Sequence, residues 1–157
     1  MRGHKMMNAD VLASNGSHYA MLLPGDLVPS HLNDSAASLE YEDSTRELYV
    51  EVVSDSKAKI VSFDLDYDLE TYMKIASKQI DPEGLYVNKP LTIGTNKALQ
   101  TEIILKNKKN QNMHYKLTCI ETPKYFYQVL SFTTDVFLEQ NKTDMDLMVN
   151  SFKEIDK

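Results

Sequence analysis

The sequence predicts an α+β fold: a largely antiparallel sheet of about six or seven strands with helices on both faces, an α/β/α sandwich. Three observations lead there. The segment Tyr125–Phe132 sets Tyr125, Tyr127 and Val129 on one side against Phe126, Leu130 and Phe132 on the other, so both sides need cover. Four strand-like segments from Leu85 onward are joined by short turns, which make antiparallel neighbours. Two helical stripes, one mid-chain and one at the end, supply a cover for each face.

The elements follow in order. Asn8–Ala13 and Ser17–Leu23 read as strands around Asn15-Gly16, a two-residue hairpin signal. Pro24-Gly25 ends the second, and residues 24–35, with Pro29 inside, read as irregular. Ala37–Tyr41 and Glu47–Ser54 form the next pair. In the latter Leu48, Val50 and Val52 alternate with Tyr49, Glu51 and Val53, again a strand covered on both sides. Residues 55–67 fit no single pattern. Asp68 then caps a helix to Ile80 with Leu69, Tyr72, Met73, Ala76 and Ile80 on one stripe, stopped by Asp81-Pro82-Glu83-Gly84.

Four strands come next: Leu85–Ile93, Lys97–Lys106, Asn112–Glu121 and Lys124–Phe132. Gly94-Thr95-Asn96, the basic Lys106–Lys109 turn and Thr122-Pro123-Lys124 separate them. After a short linking helix, Thr143 with Asp146 reads as the capping pair of a terminal helix. Met145, Met148, Val149, Phe152 and Ile155 form its stripe.

Composition narrows the function. At 157 residues the chain fits one domain over residues 8–157, with residues 1–7 read as a leader or tag. Apolar residues make up 42% and charged residues 25%, as in a soluble globular protein. A net charge of -6 argues against a nucleic-acid partner, which needs clustered Lys and Arg. The Lys106-Asn107-Lys108-Lys109 run reads as a solvated hairpin tip. No stretch reaches the length of a membrane span. The chain reads as soluble: cytoplasmic, or exported if residues 1–7 stand where a signal was removed. Asn15-Gly-Ser, Asn33-Asp-Ser and Asn141-Lys-Thr match the glycosylation triplet, too short a motif to decide anything alone.

The pattern as a whole resembles the PsbP-like family, whose fold is shared with the Ran-binding Mog protein and bacterial lipoproteins of the DcrB type. The likeness is carried by Tyr19…Leu22-Leu23-Pro24, the helix near residues 69–80 and the run of antiparallel strands. It closes with Tyr125-Phe126-Tyr127 and a last helix ending Val149-Asn150-Ser151-Phe152. A closing Ser-Phe is recurrent in that family. No Trp follows Pro24, nor does the chain contain one, which separates it from the plant photosystem members. The resemblance implies a non-enzymatic domain of bacterial type that binds a protein or stabilises a complex, without naming the partner.

The residues themselves offer little reactive chemistry. Asp64-Leu-Asp66-Tyr-Asp68 is the sharpest polar constellation, and alternate carboxylates suit a hard cation such as calcium. Counted as an EF-hand loop it fails: Leu69 occupies the glycine position and Ile75 the closing glutamate position. Capping by Asp68 accounts for the same residues. Cys119, the single cysteine, shares a face with Tyr115 and Leu117 and reads as a small buried hydrophobe, with His114 on the opposite face. His4, His18, His31 and His114 form no ligand pair at helical spacing. No nucleophile elbow, phosphate-binding glycine loop or dinucleotide fingerprint occurs.

The expectation is therefore a protein-binding domain that is not an enzyme, needs no cofactor, and uses surface tyrosines, with Tyr49, Tyr125 and Tyr127 as the candidates. The alternative is a small-ligand or calcium-binding domain built on Asp64, Asp66 and Asp68. Oligomeric state is left open.

Overall fold

The computed structural model describes residues 5–30 and 36–155. A seven-stranded antiparallel sheet forms the centre. Its strands are β3 (Val28–Pro29), β4 (Ala37–Asp43), β5 (Leu48–Ser56), β6 (Lys89–Ile93), β7 (Asn96–Lys106), β8 (Asn112–Glu121) and β9 (Tyr125–Thr134), in the order β3-β4-β5-β9-β8-β7-β6. A smaller sheet, β1 (Met6–Leu12), β2 (His18–Pro24) and β10 (Lys153–Glu154), has the order β1-β2-β10. The helices are α1 (Lys57–Ser62), α2 (Leu69–Ile80) and α3 (Leu138–Asn150).

The two faces of the main sheet are covered differently. On one, α2 lays Leu69, Tyr72, Met73 and Ala76 against Leu99, Leu117, Cys119 and Phe126. On the other, α3 and the small sheet bury Tyr19, Met21, Met145, Met148 and Phe152 against Val50, Val52, Ile120, Tyr127 and Val129. The predicted sandwich with helices on both faces is the observed one. The first hairpin, however, leaves the main sheet and joins α3 as part of the cover.

The closing Ser151-Phe152 has a mechanical explanation. Ser151 Oγ donates to the Met148 carbonyl at 2.7 Å and accepts from the Leu22 amide at 2.8 Å, fastening the end of α3 to β2. Phe152 then stacks on Tyr19 at 5.3 Å and meets Tyr127 at 4.8 Å.

Five local expectations are corrected. The first hairpin turns through Ser14, Asn15 and Gly16, with the Ala13 amide reaching the Ser17 carbonyl; Gly16 at φ 91° closes a three-residue loop, not a two-residue one. The strand before it begins at Met6, so Met6 and Met7 of the presumed leader pair with Pro24 and Leu23. Val28–Pro29 forms a short edge strand inside the segment read as irregular.

The strand expected over Leu85–Ile93 forms only from Lys89. Tyr86 is drawn to Asp81 by a 2.5 Å hydrogen bond, and Leu85 and Val87 stand 92% and 94% exposed. The terminal helix α3 also differs from the expected one. It runs unbroken from Leu138 out of a 3-10 turn at Asp135–Phe137, so Thr143 is mid-helix and caps nothing. Two inward positions, Asn141 and Asp144, are polar, which conceals the first half of the stripe from an apolar reading. Ile155 lies beyond the helix, its amide bonded to the His18 carbonyl.

Those two polar residues serve a buried cluster. Arg46, at the β4–β5 turn, is 4% exposed and reaches Asp144 at 2.9 Å, Asp43 and Asp26 at 3.0 Å, and Asn141 Oδ1 at 2.9 Å. Asn141 Nδ2 donates to the Arg46 carbonyl and to Thr133 Oγ1. Burial disfavours the arginine charge, but hydrogen bonds to Asp144, Asp26 and Asp43 outweigh it and raise its pKa. The cluster fixes α3 to one corner of the sheet.

Candidate protein-binding face

Helix α2 covers only part of its face of the sheet. Along β9 the residues turned toward that side are Phe126, Gln128, Leu130, Phe132 and Thr134. Tyr72 of α2 stacks on Phe126 with ring centroids 4.6 Å apart, and its hydroxyl donates to Asp55 at 2.5 Å and accepts from Gln128 at 3.3 Å. Leu130 still packs against the α2 core, whereas Phe132 is outside it.

There the sheet presents an aromatic row. Cross-strand register sets Tyr49 of β5 opposite Phe132 of β9, and Phe132 opposite Tyr115 of β8. Side chains directly opposite share a face and touch. The Tyr49 and Phe132 rings stack at 5.0 Å and 17°, and Tyr115 meets Phe132 at 5.1 Å. All three are half-buried.

Acidic residues surround the row. Glu42 is opposite Tyr49, Glu40 is opposite Glu51, and Glu47 accepts from Thr134 Oγ1 at 2.7 Å. Burial raises the pKa of Tyr49, and the charges of Glu47 and Glu42 add to it. Tyr115 is raised by burial and by Glu51. On β4, β5, β9 and β8 the positions sharing this face carry no lysine or arginine among the described residues. The surface is aromatic at its centre and anionic at its rim.

The residues singled out from sequence distribute unevenly. Tyr49 stands in the row. Tyr127 does not, and its assignment to the surface is corrected. It is fully buried under Tyr19 and Phe152, and its hydroxyl donates to Glu154 at 2.6 Å, because β2 and α3 cover that side of β9. Tyr125 lies on the same side as Tyr127, half-buried, with its hydroxyl on the Asn15 carbonyl. Phe132 and Tyr115 were absent from the sequence-derived candidates. The Pro123 turn held a signal for them: counting back along both strands from Thr122 and Tyr125 sets Tyr115 against Phe132.

The acidic segment is dispersed. Asp64 and Asp66 are exposed, while Asp68 Oδ1 accepts from the Thr71 amide at 2.7 Å as the cap of α2. Hydrogen bonding from the Thr71 side chain, and then from its amide, lowers the Asp68 pKa. Among the described residues no three His, Cys, Asp or Glu side chains are grouped to hold a metal ion.

Cys119 is fully buried beside Met73, and burial, with the charge of Asp55, pushes its thiol up. His114 lies across the strand from it and pairs with Asp135 at 2.7 Å; His18 pairs with Asp10 at 2.6 Å. His4 and His31 lie outside the described residues, as does the Asn33 triplet. Asn141 is buried in the Arg46 cluster, so its triplet cannot carry a glycan in the folded chain. No helix among the described residues is long and apolar enough to cross a membrane.

No family model and no curated protein matches the sequence. Solved structures do. LpqN, involved in cell envelope biogenesis of Mycobacterium tuberculosis, is similar with a TM-score of 0.66 and 10% identity, over 98% of this chain and 93% of its own. Cyanobacterial PsbP from Synechocystis gives 0.61 and 11%, over 94% and 92%. A point mutant of the protein Mog1 gives 0.58 and 14%, over 97% and 98%. At these identities the likeness is one of fold, and the fold is PsbP/Mog1-like.

Proposed function

We propose that this chain of PsbP/Mog1-like fold is a non-enzymatic binding or complex-stabilising domain that docks a protein partner on the uncovered half of the α2 face. The observation that carries the reading is the row Tyr49–Phe132–Tyr115, held across three adjacent strands and left bare by α2. Rings already stacked on one another lose little freedom on binding, and Tyr is among the residues that anchor interfaces.

The glutamate rim specifies the complement. A docking segment bearing Arg or Lys would be drawn to the negative charge of Glu42, Glu47 and Glu51 and place cations against aromatic faces, an arrangement worth about 0.5–2 kcal/mol per contact. An acidic partner would be repelled.

The test is affinity capture from native lysate with the wild-type chain and the Tyr49→Ser/Tyr115→Ser variant. A discrete protein held by the first and lost from the second, with the variant still melting cooperatively, supports the reading. Identical captured proteins from both would refute it.

A further inference from the structure

The outer edge of β7 is bare over much of its length. β6 pairs with it only as far as Lys89 opposite Gln100, yet β7 continues to Lys106, bonded to β8 on its other side. Among the described residues no strand pairs with the edge from Thr101 to Lys106. Bare edges invite another strand unless charge or proline guards them. This one carries Ile104, 55% exposed, at its middle, with Glu102 and Lys106 two residues to either side. The three alternate and so share one face, the one that bears α3, where Lys116, opposite Glu102, meets Asp146.

We propose that this edge pairs with the same edge of a second copy of the chain, antiparallel, about a twofold axis through Ile104. Antiparallel neighbours must both turn their backbone groups toward each other or both away, so a strand pairs with itself only in registers centred on a residue. Centred on Ile103, the pairing would set Glu102 against Ile104. Centred on Leu105, it would set Ile104 against Lys106. Centred on Ile104, it sets Ile104 against Ile104, Ile103 against Leu105, and Glu102 against Lys106 twice over. Of these three registers, only the last matches apolar with apolar and acid with base.

The surroundings agree with that register. Leu85 and Val87 flank the beginning of the bare edge and line, with Gln100, Thr101 and Glu102, an open cleft of about 330 Å³. The Ile104 register sets Asn107 of the second copy opposite Thr101 and brings its β7–β8 turn to the mouth of that cleft. The twofold axis stands perpendicular to the sheet, so the two seven-stranded sheets join with their α3 faces on the same side.

Sedimentation equilibrium of the whole chain over a dilution series tests the proposal. The wild type is expected to show a reversible monomer–dimer equilibrium. Glu102→Lys and Lys106→Glu each put like charges opposite one another at both ends of the interface and are expected to weaken dimerisation about tenfold or more. The double reversal restores complementarity and should return the Kd to within about threefold of wild type. Ile104→Lys, at a position exposed in the monomer, should leave no dimer, and a thermal melt of each variant checks that it folds. A monomer at every concentration overturns the proposal, as does a dimer indifferent to single charge reversal. Slow amide exchange at Leu85–Val87 in a monomer would assign the edge to the chain's own segment and overturn it equally.

Discussion

Replacing Arg46 with methionine should be among the most damaging changes a single side chain of this protein can undergo. The substitution keeps the unbranched stem out to about the Nε position and removes the guanidinium with its charge. It takes from Asp144, whose side chain is 3% exposed, and from Asp43, at 11%, the guanidinium that each of them bonds. Removing one partner of a buried ion pair costs about 3–5 kcal/mol, because the remaining charge stays desolvated. In a chain of this size each kcal/mol shifts Tm by about 2–4 °C, so a fall of roughly 6–20 °C is expected. Asp26, 40% exposed, sits on the rim of the same cluster, and Asp26→Asn should cost about 1 kcal/mol or less. Urea unfolding followed by circular dichroism measures both, together with Asp144→Asn and the Arg46→Met/Asp144→Asn double variant. The double should be less destabilised than the sum of its singles by about 1 kcal/mol or more. An Arg46→Met cost below about 1 kcal/mol, or one equal to that of Asp26→Asn, would refute the view that this cluster secures α3.

Phe152→Ala removes the ring packed between Tyr19 and Tyr127 and should cost about 3–5 kcal/mol in the same unfolding assay, while Leu147→Ala, on the exposed side of α3, stays close to wild type. Stability should also fall in alkali: burial pushes Tyr19 up to about 12 against a 10.0 reference, in spite of its Ser38 hydrogen bond. Its contribution is complete below the unfolded value of 10.0 and is lost as pH rises toward the folded value, and a Tm flat to about pH 12 would contradict this. Asp43 acts at the opposite end. Hydrogen bonds from Thr45 and Arg46 outweigh its burial and lower its pKa, so its contribution is present above the ordinary carboxylate range and lost as pH falls through the depressed value.

What the sequence disclosed follows from which interactions are local. The α2 stripe and its Asp68 cap are set within a few residues, and both stand where periodicity places them. The β8–β9 hairpin is likewise local, and its turn fixes the Tyr115–Phe132 pairing. By contrast Tyr49 reaches Phe132 from eighty-odd residues away, a pairing no short-range pattern contains. Tyr127 looked like a surface residue because its cover comes from β2 and from Phe152, at distant points of the chain. The Arg46 cluster was hidden for a related reason. A buried arginine with buried Asn141 and Asp144 reads as solvated charge until the fold brings the three together. The face with the bare aromatic row thus needed two kinds of information, a hairpin register written in the turn and a sheet order that is not.

The reading of that row as the working surface is tested most directly by site-specific crosslinking. A photoreactive phenylalanine analogue is placed in turn at Tyr49, at Tyr115, and at the exposed controls Val136 and Leu147, and each chain is irradiated in native lysate. The same discrete adduct is expected from positions 49 and 115 and none from the controls. An adduct formed from Val136 or Leu147 but not from the row would contradict it.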